Sequence, residues 1–521
     1  MSCSSINTRH SAHNIGKTSA GGDRVYRIKK GSYEPGKQDQ AEELAVGTIE
    51  QRISQIQTYF SNTEDLIVQK FDNQICSIVY VESLVKHESL QAYFMTPMLE
   101  SGDRALEQLV RSTTAKLTNI YQIGKCMLEG CCVLLTENEQ AAIIIRVPQS
   151  YERSIQEPKD EQVIKGPHDG FIENPVTNLY LLRKRLRNPK LKVKYFTMGK
   201  LTNTKVTMVY MDQIALPKLV AEAEKRLSSV DSDYLYSVGN INELLEEHPM
   251  SLFPQTLQTE RPDRAVSYLM EGKIIIFVAG NPRALILPIT FFAFYQSPDD
   301  YNTRWIIGSF YRIIRLISFV IAICLPAIYI AIVTYHSEVL PIGILYSVKV
   351  SLTYVPLPPL LEALVMQTIL ELLKEAAIRL PSPISQTIGI VGGLVIGTAV
   401  VEAQLVSHTM IVVIGLTAIA SFATPINEFG TSLRVLGFPI MLAASAFGFF
   451  GIAIMLMLVF IHLCKIETLG IPYFAPFGPF EGKESIKDIF LRLPLWMVTR
   501  TSRDKGQGGT KHSLFGRWKR P

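Results

Sequence analysis

The residues with the most chemical potential in this chain sit among leucines rather than in a polar loop. Between positions 356 and 380 the sequence carries Glu362, Gln367, Glu371, Lys374 and Glu375. If this stretch is helical, spacings of three and four bring Gln367, Glu371, Lys374 and Glu375 to one side. Glu362 falls about half a turn away from Glu371 and need not share that face. One chemistry open to such a face is a polar wall along an ion or water path, where rings of carboxylate from several subunits would favour cations. The other is a solvated face of an interfacial helix with internal Glu–Lys pairing. The stretch is too charged for a lipid-exposed span and too apolar for a free loop. A helix that lies at the interface, re-enters, or lines a watery cavity satisfies both constraints. Glu402 is the lone charge of the apolar run 384–405 and stands close enough to its end to reach the interface. Gly389, Gly393 and Gly397 recur every four residues and leave a smooth groove for another helix backbone, from this chain or from a second subunit. Ala444 and Gly448 repeat that pattern more weakly in the last apolar run.

No catalytic constellation accompanies these residues. Gly-x-Ser-x-Gly, His-Glu-x-x-His, Gly-x-Gly-x-x-Gly and a complete phosphate loop are all missing. Gly16-Lys17-Thr18 has Ser11 where the first phosphate-loop glycine belongs and no strand before it. The nine histidines form no metal-ligand spacing with cysteine or carboxylate, so the chain is read as a non-enzyme without metal or cofactor. His408 and His462 sit at the edges of apolar runs, where interfacial polar anchors belong. The seven cysteines are odd in number and lack a Cys-x-x-Cys pair, which argues for reduced, packing thiols.

The elements that must position the charged stretch follow from composition. The chain has 521 residues, 47% apolar and only 19% charged, with a mean hydropathy of +0.18. Both values exclude a mostly disordered chain, and a net charge of +5 gives no reason to expect nucleic acid. Residues 1–41 are polar and expected to be disordered, without the apolar core of a signal peptide. Residues 42–284 read as a cytosolic α/β domain, with two subdomains as an option. Strands are expected at 75–80, 131–135, 142–147, 206–211 and 273–278, the second and third forming a hairpin. Helices are expected at 216–227, 241–247 and 264–271, the last with Asp263 as N-cap. Residues 149–178 read as loop. Residues 285–295 are apolar but too short to cross a bilayer, and their aromatics would suit the headgroup belt. An all-α polytopic membrane domain is expected over 285–480, with four spans at 316–334, 384–405, 409–425 and 435–463. Six crossings would follow if 340–380 crosses twice. Arg304, Arg312 and Arg315 before the first span and the basic tail 481–521 place both flanks in the cytoplasm.

Several blocks carry a family likeness. Pro358-Pro-Leu-Leu-Glu-Ala-Leu364 is followed by Glu371-Leu-Leu-Lys-Glu-Ala-Ala377, Arg379-Leu-Pro381, the glycine run 388–397, Leu405-Val-Ser407 and Thr417-Ala-Ile-Ala-Ser-Phe422 with Pro425. Upstream stand Gly166-Pro-His-Asp-Gly-Phe171, Phe253-Pro-Gln255, Thr259-Glu-Arg-Pro-Asp263 and Gln296-Ser-Pro-Asp-Asp-Tyr301. In this order they resemble the A subunit of the GerA-type spore germination receptors, and also a related spore membrane protein encoded with a dipicolinate channel. The resemblance covers about residues 149–479. It implies a multi-pass protein of the spore inner membrane or cell membrane that works with a transporter-like B subunit and a lipoprotein C subunit. It also implies self-association into a nutrient-gated ion channel whose wall would include 356–380. A non-conducting scaffold and a solute-carrier subunit are the alternatives. Gln367, Gln404, His408 and the run Asn427-Glu-Phe429 depart from the family pattern, and they bear on the charge of any pore.

Overall fold

The computed structural model describes residues 43–45, 47–71, 76–96, 115–137, 139–150, 157–158, 161, 163, 165–379, 393, 397–478 and 489–494. The expected disordered segment 1–41, most of the span 384–405 and most of the basic tail lie outside these residues. Within them the chain is an α/β domain followed by a helical region.

The first layer begins where the sequence writes a capping box. Thr48 accepts the Gln51 N–H at 3.4 Å, and Gln51 accepts the Thr48 N–H at 3.2 Å. Helix α1 (Ile49–Tyr59) then buries Ile49, Ile53 and Ile56 on one face. Strands β1 (Leu66–Lys70), β2 (Cys76–Val81), β3 (Lys116–Leu117), β4 (Cys131–Thr136) and β5 (Ala142–Arg146), with helix α2 (Ile120–Leu128) before β4, make an antiparallel sheet ordered β1-β2-β4-β5-β3. The expected hairpin is β4–β5, with Leu134 opposite Ile143. Strands β2 and β4 are buried throughout because both faces are covered. Ile53, Ile123 and Met127 meet Val79 and Val133 on one face, and Leu90 and Phe94 meet Ile78 and Leu134 on the other.

The second layer opens with α3 (Pro175–Arg185), capped by Asn174 and started by proline. It therefore begins inside the stretch read as loop. Strands β6 (Leu191–Met198) and β7 (Thr204–Met211) pair, and α4 (Pro217–Ser229) and α5 (Val238–Leu245) cover one face. Strand β8 (Leu257–Thr259), helix α6 (Pro262–Met270) and strands β9 (Ile274–Val278) and β10 (Ala284–Leu287) complete a second antiparallel sheet, ordered β6-β7-β9-β10-β8. The two layers are joined by a wholly buried ion pair. Arg183 donates twice to Asp65 at 2.7 Å, and Thr63, bonded to the same carboxylate, accepts the Val193 N–H at 3.0 Å.

Two local expectations change. Helix α6 starts at Pro262, with Arg261 in the cap position, because proline is preorganised for the first helical residue. Asp263 lies in its first turn, and its carboxylate is taken by the Arg261 guanidinium at 2.8 Å. The apolar run 285–295 does not face headgroups. Its first residues belong to β10, Phe292 and Phe294 are buried in an aromatic knot, and Tyr295 is buried beneath the Arg315 guanidinium. There the Phe291 ring lies 5.4 Å from Phe429 and 5.7 Å from Phe474.

The helical region contains α7 (Trp305–Thr334), α8 (Ile342–Thr353), α9 (Pro359–Arg379), α10 (His408–Phe422) and α11 (Asn427–Lys465). Among the described residues, α7 and α11 are long and apolar enough to cross a membrane. Straight, α11 would be roughly 58 Å long. Its two ends nevertheless converge on the same knot, since Phe460 lies 6.0 Å from Phe474 and Phe429 lies 5.4 Å from Phe291. The element folds back at Gly448, whose φ of 61° and ψ of −139° no helix contains and few side chains tolerate. The run 435–463, expected as one crossing, is therefore two arms. At the tip, the Tyr335 hydroxyl donates to the Ser445 and Ala446 carbonyls at 3.1 and 3.0 Å, capping the end of the first arm.

Candidate functional site

Helix α9 runs along α7, α10 and the first arm of α11, and the contacts of its polar residues fix its direction. At its start Glu362 is wholly buried and accepts the Ser407 N–H at 2.9 Å, at the head of α10. The Ser407 hydroxyl caps that helix by accepting the Met410 N–H at 3.3 Å, and the Tyr329 hydroxyl of α7 lies 3.5 Å from it. Near its end Lys374 donates to the Ser421 hydroxyl at 2.7 Å and stands over the Phe422 ring. Glu371 accepts from Arg434 at 2.8 Å, seven residues into α11. The start of α9 thus lies beside the far half of α7, and its end lies at the level of the aromatic knot.

This arrangement sorts the expected site residues by face. Glu362 and Gln367 are buried, and Gln367 donates to Glu371 at 3.4 Å. Glu371 and Lys374 are half-buried against α11 and α10. Four of the five candidates therefore point into the bundle of their own chain, Glu362 among them. Only Glu375 is exposed, paired with Arg379 one turn on at 2.9 Å. The outward stripe of α9 is Leu361, Val365, Thr368, Leu372 and Glu375, all exposed and spaced by three or four. Gly389 lies outside the described residues. Gly393 and Gly397 have open space where a side chain would begin. Glu402 is exposed at the end of its helical segment.

Sequence reasoning missed Arg434, Ser407, Ser421 and Tyr329. Ser407 carried a signal, a serine directly before an apolar run. Arg434 directly precedes the apolar run 435–463, and a cation at the edge of an apolar helix is a natural partner for a carboxylate on a neighbouring one. The contiguous block around Thr259 also has a structural role. Thr259 donates to Glu161 at 2.6 Å and Arg264 donates to the same carboxylate at 2.7 Å, so Glu161 is held by both β8 and α6. Burial pushes the Tyr295 phenol up to about 12, with Arg315 and Arg312 pulling the other way.

The family model described as Bacillus/Clostridium GerA spore germination protein matches residues 54–504. The chain is 38% identical over 462 residues to the uncharacterized membrane protein YfkQ of Bacillus subtilis (strain 168), covering 86% of this chain and 90% of that one. It is 38% identical over 432 residues to the spore germination protein GerLA of Bacillus cereus, covering 81% and 88%. Among solved structures, the N-terminal domain of the A subunit of the Bacillus megaterium spore germinant receptor GerK3 aligns at 25% identity and a TM-score of 0.37, over 48% of this chain and 98% of that one. With a family match over most of its length and relatives at this identity along four fifths of it, the chain belongs to the GerA family of spore germination proteins.

Proposed function

We propose that the chain is the A subunit of a spore nutrient germinant receptor, and that several copies form a ligand-gated cation channel walled by the outward face of α9. One observation carries this reading. The inward Glu371 and Lys374 of α9 are met by Arg434 and Ser421 inside the chain, and Glu362 accepts the Ser407 N–H, yet the opposite face keeps Thr368 and the Glu375–Arg379 pair exposed among apolar helices of bilayer length. Lipid is a poor solvent for that face, whereas a water-filled path between copies is a good one. Leu361, Val365 and Leu372 would supply apolar constrictions that close by dewetting, and Glu375 a charged ring at the cytoplasmic mouth.

The membrane domain crosses six times in this reading: α7, α9, the segment 384–405, α10 and the two arms of α11. The α/β domain and both termini face the cytoplasm, and the membrane is the inner membrane of the spore. A transporter-like B subunit binds the nutrient and, with a lipoprotein C subunit, biases a closed–open equilibrium in the A-subunit oligomer.

The test is current through the reconstituted receptor in a planar bilayer. Removing the Glu375 charge (E375Q) lowers the cation-to-anion permeability ratio about twofold or more, and R379Q raises it. Receptor that germinates spores but passes no current would make the chain a non-conducting scaffold, and saturable solute flux would make it a carrier subunit.

A further inference from the structure

A cavity of about 720 Å³ opens beside the first turns of α7, where that helix leaves the α/β domain. Its cations are Lys165, Arg304 and Arg315. Arg315 is already committed, donating to Asp300 at 3.1 Å and to the Tyr295 carbonyl at 2.7 Å. The buried Asp300 carboxylate is saturated in turn, because Arg312 also donates to it at 3.0 Å. Asp299 accepts the Lys165 backbone N–H at 3.4 Å. What remains are the exposed Lys165 ammonium and Arg304 guanidinium, whose side chains have no ion-pair or hydrogen-bond partner among the described residues. Below them the wall is apolar: Ile307, Tyr311 and Ile314, exposed and spaced four and three along one face of a bilayer-length helix.

We infer that this cavity binds an acidic phospholipid of the cytoplasmic leaflet. The phosphate group sits between Lys165 and Arg304, and an acyl chain lies along the Ile307–Tyr311–Ile314 stripe. A small soluble anion would satisfy the two cations but leave the adjoining apolar wall in water. An uncharged lipid would cover the wall and leave the cations unmatched. Only an anionic amphiphile complements both halves. The tyrosine, amphipathic and at the mouth of the cavity, marks the headgroup level. The inference rests on the membrane reading of α7.

The experiment uses the full-length chain. Detergent-purified protein is offered equal amounts of phosphatidylglycerol and phosphatidylcholine, and retained lipid is read by native mass spectrometry. Flotation with phosphatidylcholine vesicles is scored in parallel. The wild type is expected to float and to retain phosphatidylglycerol preferentially. K165Q and R304Q each weaken that preference about fivefold, while both variants still float. Ile314→Ser lowers retention of the lipid without creating a preference for phosphatidylcholine. Equal retention of the two lipids, or a preference untouched by K165Q and R304Q, overturns the inference. Displacement of phosphatidylglycerol by inorganic phosphate at equal concentration overturns it in favour of a soluble-anion site. Failure of the wild type to float overturns the membrane reading together with this one, whereas a lost preference with flotation intact isolates the lipid site.

Discussion

At the scale of single residues, this chain keeps its charges where partners wait. Asp65 and Arg183 are both wholly buried and join the two sheets through two bonds of 2.7 Å. Asp65→Ala strands a guanidinium in the core and should cost about 3–5 kcal/mol, read as a lowered Tm of the full chain in detergent. Replacing both partners, Asp65→Leu with Arg183→Met, should cost far less, because no uncompensated charge remains. Glu246 has the opposite character. Burial raises its carboxyl above the ordinary glutamate range, with Glu428 adding to the rise, while a bond from the Gln255 N–H and one from Asn242 hold it down in part. The folded chain thus holds a proton that the unfolded chain has released once pH passes the usual glutamate value. Stability falls as pH climbs from that value through the folded one, and it is highest below it. Glu246→Gln should flatten this slope, and an unchanged Tm-versus-pH curve would show that the buried carboxyl does not govern it.

Elements obey two different kinds of instruction. Helix α1 and helix α10 start at caps that the local sequence spells out, Thr48 with Gln51 and Ser407 before its apolar run. The reversal of α11 is spelled only by Gly448 and Gly451, which look like ordinary small residues in an apolar run. A Cβ at Gly451 would lie 2.0 Å from the Ala443 carbonyl oxygen, and one at Gly448 would meet the His336 imidazole at 2.8 Å in a backbone region costly for any side chain. Gly448→Ala and Gly451→Ala should each destabilise the helical region by at least 1–3 kcal/mol. Tyr335→Phe, which removes only the cap on two carbonyls, should cost about 1 kcal/mol. Thermal unfolding in detergent ranks the three, and a Tyr335→Phe loss equal to that of the glycines would refute the turn as the main constraint.

For the whole molecule, the testable statement is sidedness. Tyr335 touches the tip of α11, while Ser251 of the α/β domain lies 2.9 Å from His462 at the other end of the same element. A cysteine at Ser337, next to the tip, should react with a membrane-impermeant thiol reagent from the outer face of oriented vesicles. One at Met250 should react only from the cytoplasmic face. Both reacting from the same side would rule out arms that each cross the bilayer. Cys76, Cys131, Cys132 and Cys324 are buried thiols, while the exposed Cys464 and the half-buried Cys126 are replaced by serine before labelling.

By itself the sequence determined the division into a wet α/β half and an oily helical half, because the hydrophobic periodicity of each segment records the solvent on each of its faces. It also determined the β4–β5 hairpin and the residues of α9 that carry charge. Only the tertiary structure decided which way those residues face. A helix shows its spacing locally, but which side meets protein depends on neighbours 45 to 63 positions away, such as Ser407, Ser421 and Arg434 for Glu362, Lys374 and Glu371. The fold-back of α11 was hidden for a related reason. Hydropathy measures what a residue prefers to touch, and the two arms of an apolar hairpin prefer the same surroundings as one long helix. The turn rests on backbone dihedrals that a glycine permits without announcing.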